Sequence, residues 1–133
     1  MKQSISIITV ALIAIGLFAF KYADQSEEWV VPAKYLKMAN PTDAEDDEGL
    51  EIGEELYMKH CRSCHGKEGL GDGPKAKDQK GDLGDFSSEE FQAQSDGALF
   101  YKSYIGRDDM PNFEKKITDK EEMWFIVNYM RTL

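Results

Sequence analysis

Cys61 and Cys64 are the only cysteines in the chain and His65 follows at once, so every thiol lies within the segment Cys61-Arg62-Ser63-Cys64-His65. Residues three apart share a face of a helix. Both sulfurs can therefore reach vinyl groups of one porphyrin while the imidazole of His65 turns toward its iron, which is the pattern of c-type haem attachment. Two other uses of paired cysteines suit the sequence less well. A thioredoxin-like dithiol belongs among alternating strands and helices, and no such alternation surrounds this pair. A zinc site wants four ligands with a second, distant pair, whereas the only other histidine is His60, directly before Cys61.

Iron held by a histidine commonly takes a second axial ligand from far along the chain, and a methionine there raises the reduction potential. Six methionines compete. Met58 lies one turn before Cys61 on the same helix, and Met123 and Met130 fall at core spacing in the last helix, where methionine is flexible filler. Met1 is the start, and Met38 lies in a polar segment ahead of the motif. Met110 occupies a non-helical stretch between two predicted helices, and Pro111 stiffens the chain after it. Met110 is the expected distal ligand. His60 shares a helix with Cys61 and cannot reach round to the opposite axial position, so it reads as a solvated helix residue.

Local signals predict a helix, a long loop and three further helices. The first helix runs from about Gly49 into Cys61, with Leu50, Gly53, Leu56, Tyr57 and His60 at helical spacing. Residues 66–84 are rich in glycine, with Pro74, and show no apolar period, as expected of loop wrapped on a haem. They lack the Lys-Ser/Thr pair and preceding strand of a phosphate loop. Ser87-x-x-Glu90 and Thr118-x-x-Glu121 read as capping boxes, with Phe86 and Phe91 as a hydrophobic staple. Ser95 or Asp96 starts a helix that Gly106 ends. Met123, Ile126, Val127 and Met130 form the apolar stripe of the last helix.

Three blocks in order resemble the class I c-type cytochromes over about residues 51–133. They are Gly53-x-x-Leu56-Tyr57-x-x-x-Cys61-x-x-Cys64-His65-Gly66, Ile105-Gly106-x-x-x-Met110-Pro111-x-Phe113, and Trp124-x-x-Val127-x-Tyr129-Met130. The resemblance implies an all-α cytochrome c fold of four to five helices around one covalently attached haem c. Cys61 and Cys64 would carry the thioethers, with His65 the proximal and Met110 the distal axial ligand. It further implies close crossing of the first and last helices at Gly53, with an aromatic of the last helix, Trp124 or Tyr129, packed there. A domain of about eighty residues is short for a self-sufficient core, and the haem would supply the missing apolar surface.

Ahead of this domain the composition changes twice. Residues 4–20 are uncharged and largely apolar between Lys2 and Lys21, the layout of a secretory signal or a signal anchor. At about 1.5 Å per residue the run reaches roughly 25 Å, a little under the roughly 30 Å of bilayer hydrocarbon. No clean pair of small residues marks a cleavage site at its end, which favours an uncleaved anchor over residues 1–22 with Lys21 and Tyr22 at the interface. Residues 23–50 read as an acidic tether, since residues 43–55 carry eight acids and no base. Within it Trp29-Val30-Val31-Pro32 is apolar and suits three roles equally: packing on the domain, docking on a partner, or lying in the membrane interface. Export to the periplasmic side of a bacterial inner membrane is expected, or a soluble periplasmic protein if the signal is cleaved.

The net charge of -9 makes nucleic-acid binding an unsuitable role. The charge is uneven, however: Lys59, Arg62, Lys67, Lys75, Lys77 and Lys80 outnumber Glu68, Asp72 and Asp78 around the motif. Such a patch suits brief encounter with electron-donor and electron-acceptor proteins. The expected work is single-electron transfer between respiratory chain components, with no catalysis of its own. Two alternatives remain open at this point: a peroxidase-like haem enzyme or gas sensor with a labile Met110 bond, and a fixed haem subunit of a larger membrane oxidoreductase.

Overall fold

Two helices meet face to face because one of them presents two glycines along the contact. In the computed structural model, which describes residues 29–133, Gly49, Gly53 and Tyr57 are the buried positions of the helix Asp47–His60, spaced one turn apart. We label the helices in chain order: α1 Ala33–Leu36, α2 Asp47–His60, α3 Arg62–His65, α4 Glu89–Gln92, α5 Asp96–Ile105 and α6 Lys120–Arg131. A Cβ on Gly53 would fall on the carbonyl of Phe125 and 3.2 Å from Tyr129 Cβ, so α6 rests directly on the α2 backbone. This is the most extensive helix pair among the described residues. Tyr129 packs on Tyr57 with ring centroids 5.3 Å apart. Trp124 does not share this contact: it stacks on Phe100 of α5 at 4.3 Å. Five residues of helix turn Trp124 away from the side that Tyr129 faces, whereas Phe125, one turn before Tyr129, lies on it.

α5 closes the core against α6. Ser95 caps it by accepting the Ala98 N–H (3.2 Å), and Gly106, in the left-handed region at φ 73°, ends it as expected. Leu99, Ile117, Met123, Ile126 and Val127 form the innermost layer, essentially out of solvent. Arg131 near the end of α6 donates to Asp96 Oδ1 (2.7 Å) and to the Gln92 carbonyl (2.8 Å), locking the corner between α4 and α5 onto α6.

Two helix starts lie one residue later than the capping boxes predict. Ser88, not Ser87, caps α4 by accepting the Phe91 N–H (3.2 Å), because Ser87 is turned back to Asp85 Oδ1 (2.6 Å). Asp119, not Thr118, caps α6 by accepting the Glu121 N–H (2.9 Å). In each case two adjacent residues can cap, and the neighbouring loop selects the second. The staple pair still meets, Phe86 and Phe91 stacking at 4.2 Å and 14°.

The segment read as a tether is seated on the helices. Tyr35 of α1 lies on Tyr101 of α5 (4.7 Å), and the Tyr35 carbonyl occupies the space that a Cβ on Gly97 would take. Asn40 Nδ2 donates to Asn128 Oδ1 (2.6 Å), while Asn128 Nδ2 donates to Thr42 Oγ1 (3.0 Å) and the Asp43 carbonyl (3.1 Å). Asn128 is only 2% exposed, so these bonds meet the polar demand of a buried amide on the innermost helix. Of the three roles open to Trp29-Val30-Val31-Pro32, packing on the domain is seen at Trp29, whose ring lies 4.7 Å from the Arg107 guanidinium. The acids from Asp43 to Glu48 are exposed. The expected signal or anchor over residues 1–22 lies outside the described residues. Among those described, no helix is long and apolar enough to cross a membrane.

Candidate haem site

The end of α2 and the turn of α3 set the two cysteines on one face. Cys61 N–H still donates to Tyr57 (2.8 Å) as the last turn of α2, and the N–H groups of Cys64 and His65 both donate to the Cys61 carbonyl at 3.1 Å. Both cysteines carry free, half-buried thiols. Burial, and then the neighbouring Cys64, push the Cys61 thiol up to about 12.

The Gly-rich loop that follows closes over the far end of this turn. Gly66, at φ 86°, ends α3 where its missing Cβ leaves room for the Asp72 carboxylate. A Cβ on Gly73 would meet the carbonyls of Arg62, Ser63 and Cys64, each at 2.6 Å, so only glycine lets the chain lie this close. The loop then donates to these groups in turn: Gly71 N–H to His65 (2.8 Å), Gly73 N–H to Cys64 (3.1 Å) and Lys75 N–H to Ser63 (2.8 Å). Tyr57 Oη donates to the Gly66 carbonyl (2.9 Å), and burial raises its phenol well above the ordinary range.

His65 has its two nitrogens in opposite situations. Nδ1 lies 3.0 Å from the Leu83 carbonyl, which can only accept, so Nδ1 carries the proton. Nε2 is then left with its lone pair, and it is the one buried side-chain nitrogen or oxygen among the described residues that has no hydrogen-bond partner. Burial lowers the imidazole's affinity for a second proton, an effect partly offset by the bond to Leu83. Phe86 covers the ring at 4.8 Å. A neutral imidazole fixed through one nitrogen, with the other bare and dry, has the arrangement that a metal ligand needs.

Met110 lies on a turn held at both ends. Gly106 turns the chain out of α5, and a Cβ there would collide with the carbonyls of Met110 and Pro111. Arg107 N–H donates to the Met110 carbonyl (3.0 Å) and Met110 N–H to the Arg107 carbonyl (2.8 Å), with Asp108 at φ 51° between them. Asp109 Oδ2 accepts the Lys80 N–H (3.0 Å), tying this turn to the loop that wraps the cysteine motif. The Met110 side chain is half-buried and borders the same core cluster as Cys61.

Cys61, Cys64 and His65 are thus gathered on one turn, and the turn that carries Met110 is tied to the loop following them through the Asp109–Lys80 bond. His60 is half-buried instead of solvated, edge-on to Phe113 at 5.8 Å, with its pKa lowered by burial and then by Lys59 and Lys116. The groups that sequence reasoning passes over are the Leu83 carbonyl, the Tyr57 hydroxyl and the Asp109 carboxylate.

The sequence profile of the cytochrome c family matches residues 50–133. The chain belongs to the cytochrome c family. No curated protein matches it. As a cytochrome c it carries haem c, bound covalently, and Cys61, Cys64 and His65 stand at the spacing which that attachment requires. The orphaned Nε2 of His65 and the two free thiols on its own turn fit the group on physical grounds. When bound, the haem supplies a one-electron redox centre, and the protein sets its potential through axial ligands, burial and nearby hydrogen bonds.

Around this site the cytochrome presents exposed Lys59, Arg62, Lys67, Lys75, Lys77 and Lys80, while the exposed carboxylates from Asp43 to Glu55 gather on and before α2.

Proposed function

We propose that this cytochrome is a monohaem electron carrier passing single electrons between respiratory chain components, with His65 and Met110 as the axial iron ligands and Cys61 and Cys64 as the thioether sites. The observation that carries the reading is His65 itself: its Nε2 lone pair is bare and buried, and its Nδ1 is tied to Leu83. The Leu83 bond fixes the ring's orientation and raises the basicity of the liganding nitrogen. Met110 is supported by the turn that holds it, braced by the Arg107 backbone and by Lys80. With both axial positions filled by the chain, no open site is left for a substrate, which suits electron transfer better than catalysis.

Transfer to a partner needs only brief contact at the haem edge, where the surrounding lysines raise the encounter rate more than the affinity. Changing Lys75, Lys77 and Lys80 together to Glu is expected to lower the bimolecular electron-transfer rate roughly tenfold or more with an acidic redox partner. The backbone bond from Lys80 to Asp109 survives that change, so the potential should barely move. In the parent protein the rate should fall with salt as the screening length shrinks from about 10 Å at 0.1 M to about 3 Å at 1 M. Stopped-flow oxidation across a salt series reads both effects. A rate that rises on reversal would instead assign docking to the acids of residues 43–55.

The apolar run of residues 4–20 supports membrane tethering with the haem domain on the periplasmic side. The mature protein is expected to begin near Met1 and to fractionate with membranes. N-terminal sequencing that finds a start after residue 20 would refute tethering.

A further inference from the structure

The turn that carries Met110 is also held from outside the family-matched region. Its left-handed residue, Asp108, is not a glycine, a conformation that persists only where the surroundings hold it. The side chain paired with it is that of Arg107. Arg107 Nε lies 3.2 Å from Asp108 Oδ2, and the Arg107 guanidinium sits 4.7 Å from the centroid of the Trp29 indole, with Lys102 Nζ at 5.8 Å from the same ring. Cations this close to an indole are attracted by the negative quadrupole of its faces. Trp29 is in turn fixed by the seated segment that follows it, through Tyr35 on Tyr101 and Asn40 on Asn128. A chain of contacts therefore runs from Asn128 in the core, along residues 29–43, through Trp29 and Arg107, to the two backbone bonds that close the Arg107–Met110 turn.

We propose that Trp29 and Arg107 are positioning residues that latch the Met110 turn closed, so that the segment ahead of the haem domain governs how readily the sixth iron position opens. This rests on the reading of Met110 as an axial ligand. An outside ligand enters only when Met110 leaves, and Met110 leaves by breaking the turn that Arg107 closes. Removing the indole takes away the aromatic contact of the guanidinium and lowers the barrier to opening, without touching the iron ligands or the thioethers.

The test uses the full-length holoprotein in its ferric state, with imidazole as the probe. Trp29→Ala should speed the saturating rate of imidazole binding about fivefold, the effect of one partly exposed cation–π contact. It should also speed hydrogen exchange at the Arg107 and Met110 amides, while the amides of α2 and α6 keep their protection. Trp29→Phe, which retains a ring face, should restore most of the slow rate, and Trp29→Leu, equally apolar but without a quadrupole, should not. Unchanged binding and exchange in Trp29→Ala would overturn the latch. Faster exchange with unchanged imidazole binding would also overturn it, since the segment would then order the turn without governing the iron. If Met110→Ala leaves the parent protein's sulfur-to-iron charge-transfer absorption in place, or if that absorption is missing from the parent, the failure belongs to the Met110 assignment, and the exchange data still report whether Trp29 holds the turn.

Discussion

Met110→Ala is expected to lower the reduction potential by roughly 200 mV, within the range of about 0.8 V over which axial ligands set haem potentials. The variant should lose the sulfur-to-iron charge-transfer absorption and bind cyanide readily. The reason is local. Met110 is the methionine held on a non-helical turn bordering the same cluster as Cys61, whereas Met123 and Met130 are buried in α6. The thioethers at Cys61 and Cys64 should stay intact, so the mass of the haem-bearing chain changes only by the substitution. An unchanged spectrum and potential would remove Met110 from the ligand set and direct attention to Met58 and Met38.

Gly53→Ala should destabilise the holoprotein, against the usual preference for alanine in helices. Replacing glycine inside a helix gains about 1 kcal/mol in propensity. Here the added methyl would land on the Phe125 carbonyl, a backbone group of α6 that cannot rotate away, and 3.2 Å from Tyr129 Cβ. Overpacking of this kind costs typically about 1–3 kcal/mol. The contact is to backbone at the main helix crossing, so the upper part of that range applies and the net effect is a loss. The melting temperature is expected to fall by about 5–10 °C. Gly81→Ala is the paired control. Nothing lies within 4 Å of its would-be Cβ and its φ is not in the left-handed region, so it should be neutral or stabilise by about 0.4–1 kcal/mol. Equal melting points for the two variants would mean that α6 does not rest on α2 in the holoprotein as described.

Both predictions use residues that the sequence exposes by simple geometry. Cys61, Cys64 and His65 are legible because they sit on one helical turn, where spacing and shape are the same statement. Gly53 stands out because a helix interior disfavours glycine. Met110 emerges by elimination, as the methionine outside any helix and next to a proline. The apolar stripe of α6 likewise follows from its period and is buried as expected. What periodicity cannot carry is a contact between single groups far apart in the chain. The Asn40–Asn128 bond joins positions 88 residues apart, and Asp109 reaches Lys80 across 29. Neither pair has a spacing to betray it, so residues 29–43 read as tether although they are seated on α5 and α6. The Leu83 carbonyl that orients His65 is a backbone atom and leaves no mark on residue identity. The helix starts at Glu89 and Lys120 miss by one residue because Ser87-Ser88 and Thr118-Asp119 each offer two adjacent caps, a choice settled by the loop before them.

The most direct test of the central claim is exposure of the reduced full-length protein to carbon monoxide at neutral pH, followed by its absorption spectrum. With His65 and Met110 in both axial positions, as proposed, the spectrum is expected to stay that of the six-coordinate ferrous protein, with potentiometric titration following a one-electron curve. Rapid conversion to a carbon monoxide complex in the parent protein would show a sixth position open to outside ligands, and would contradict the assignment of this cytochrome as an electron carrier.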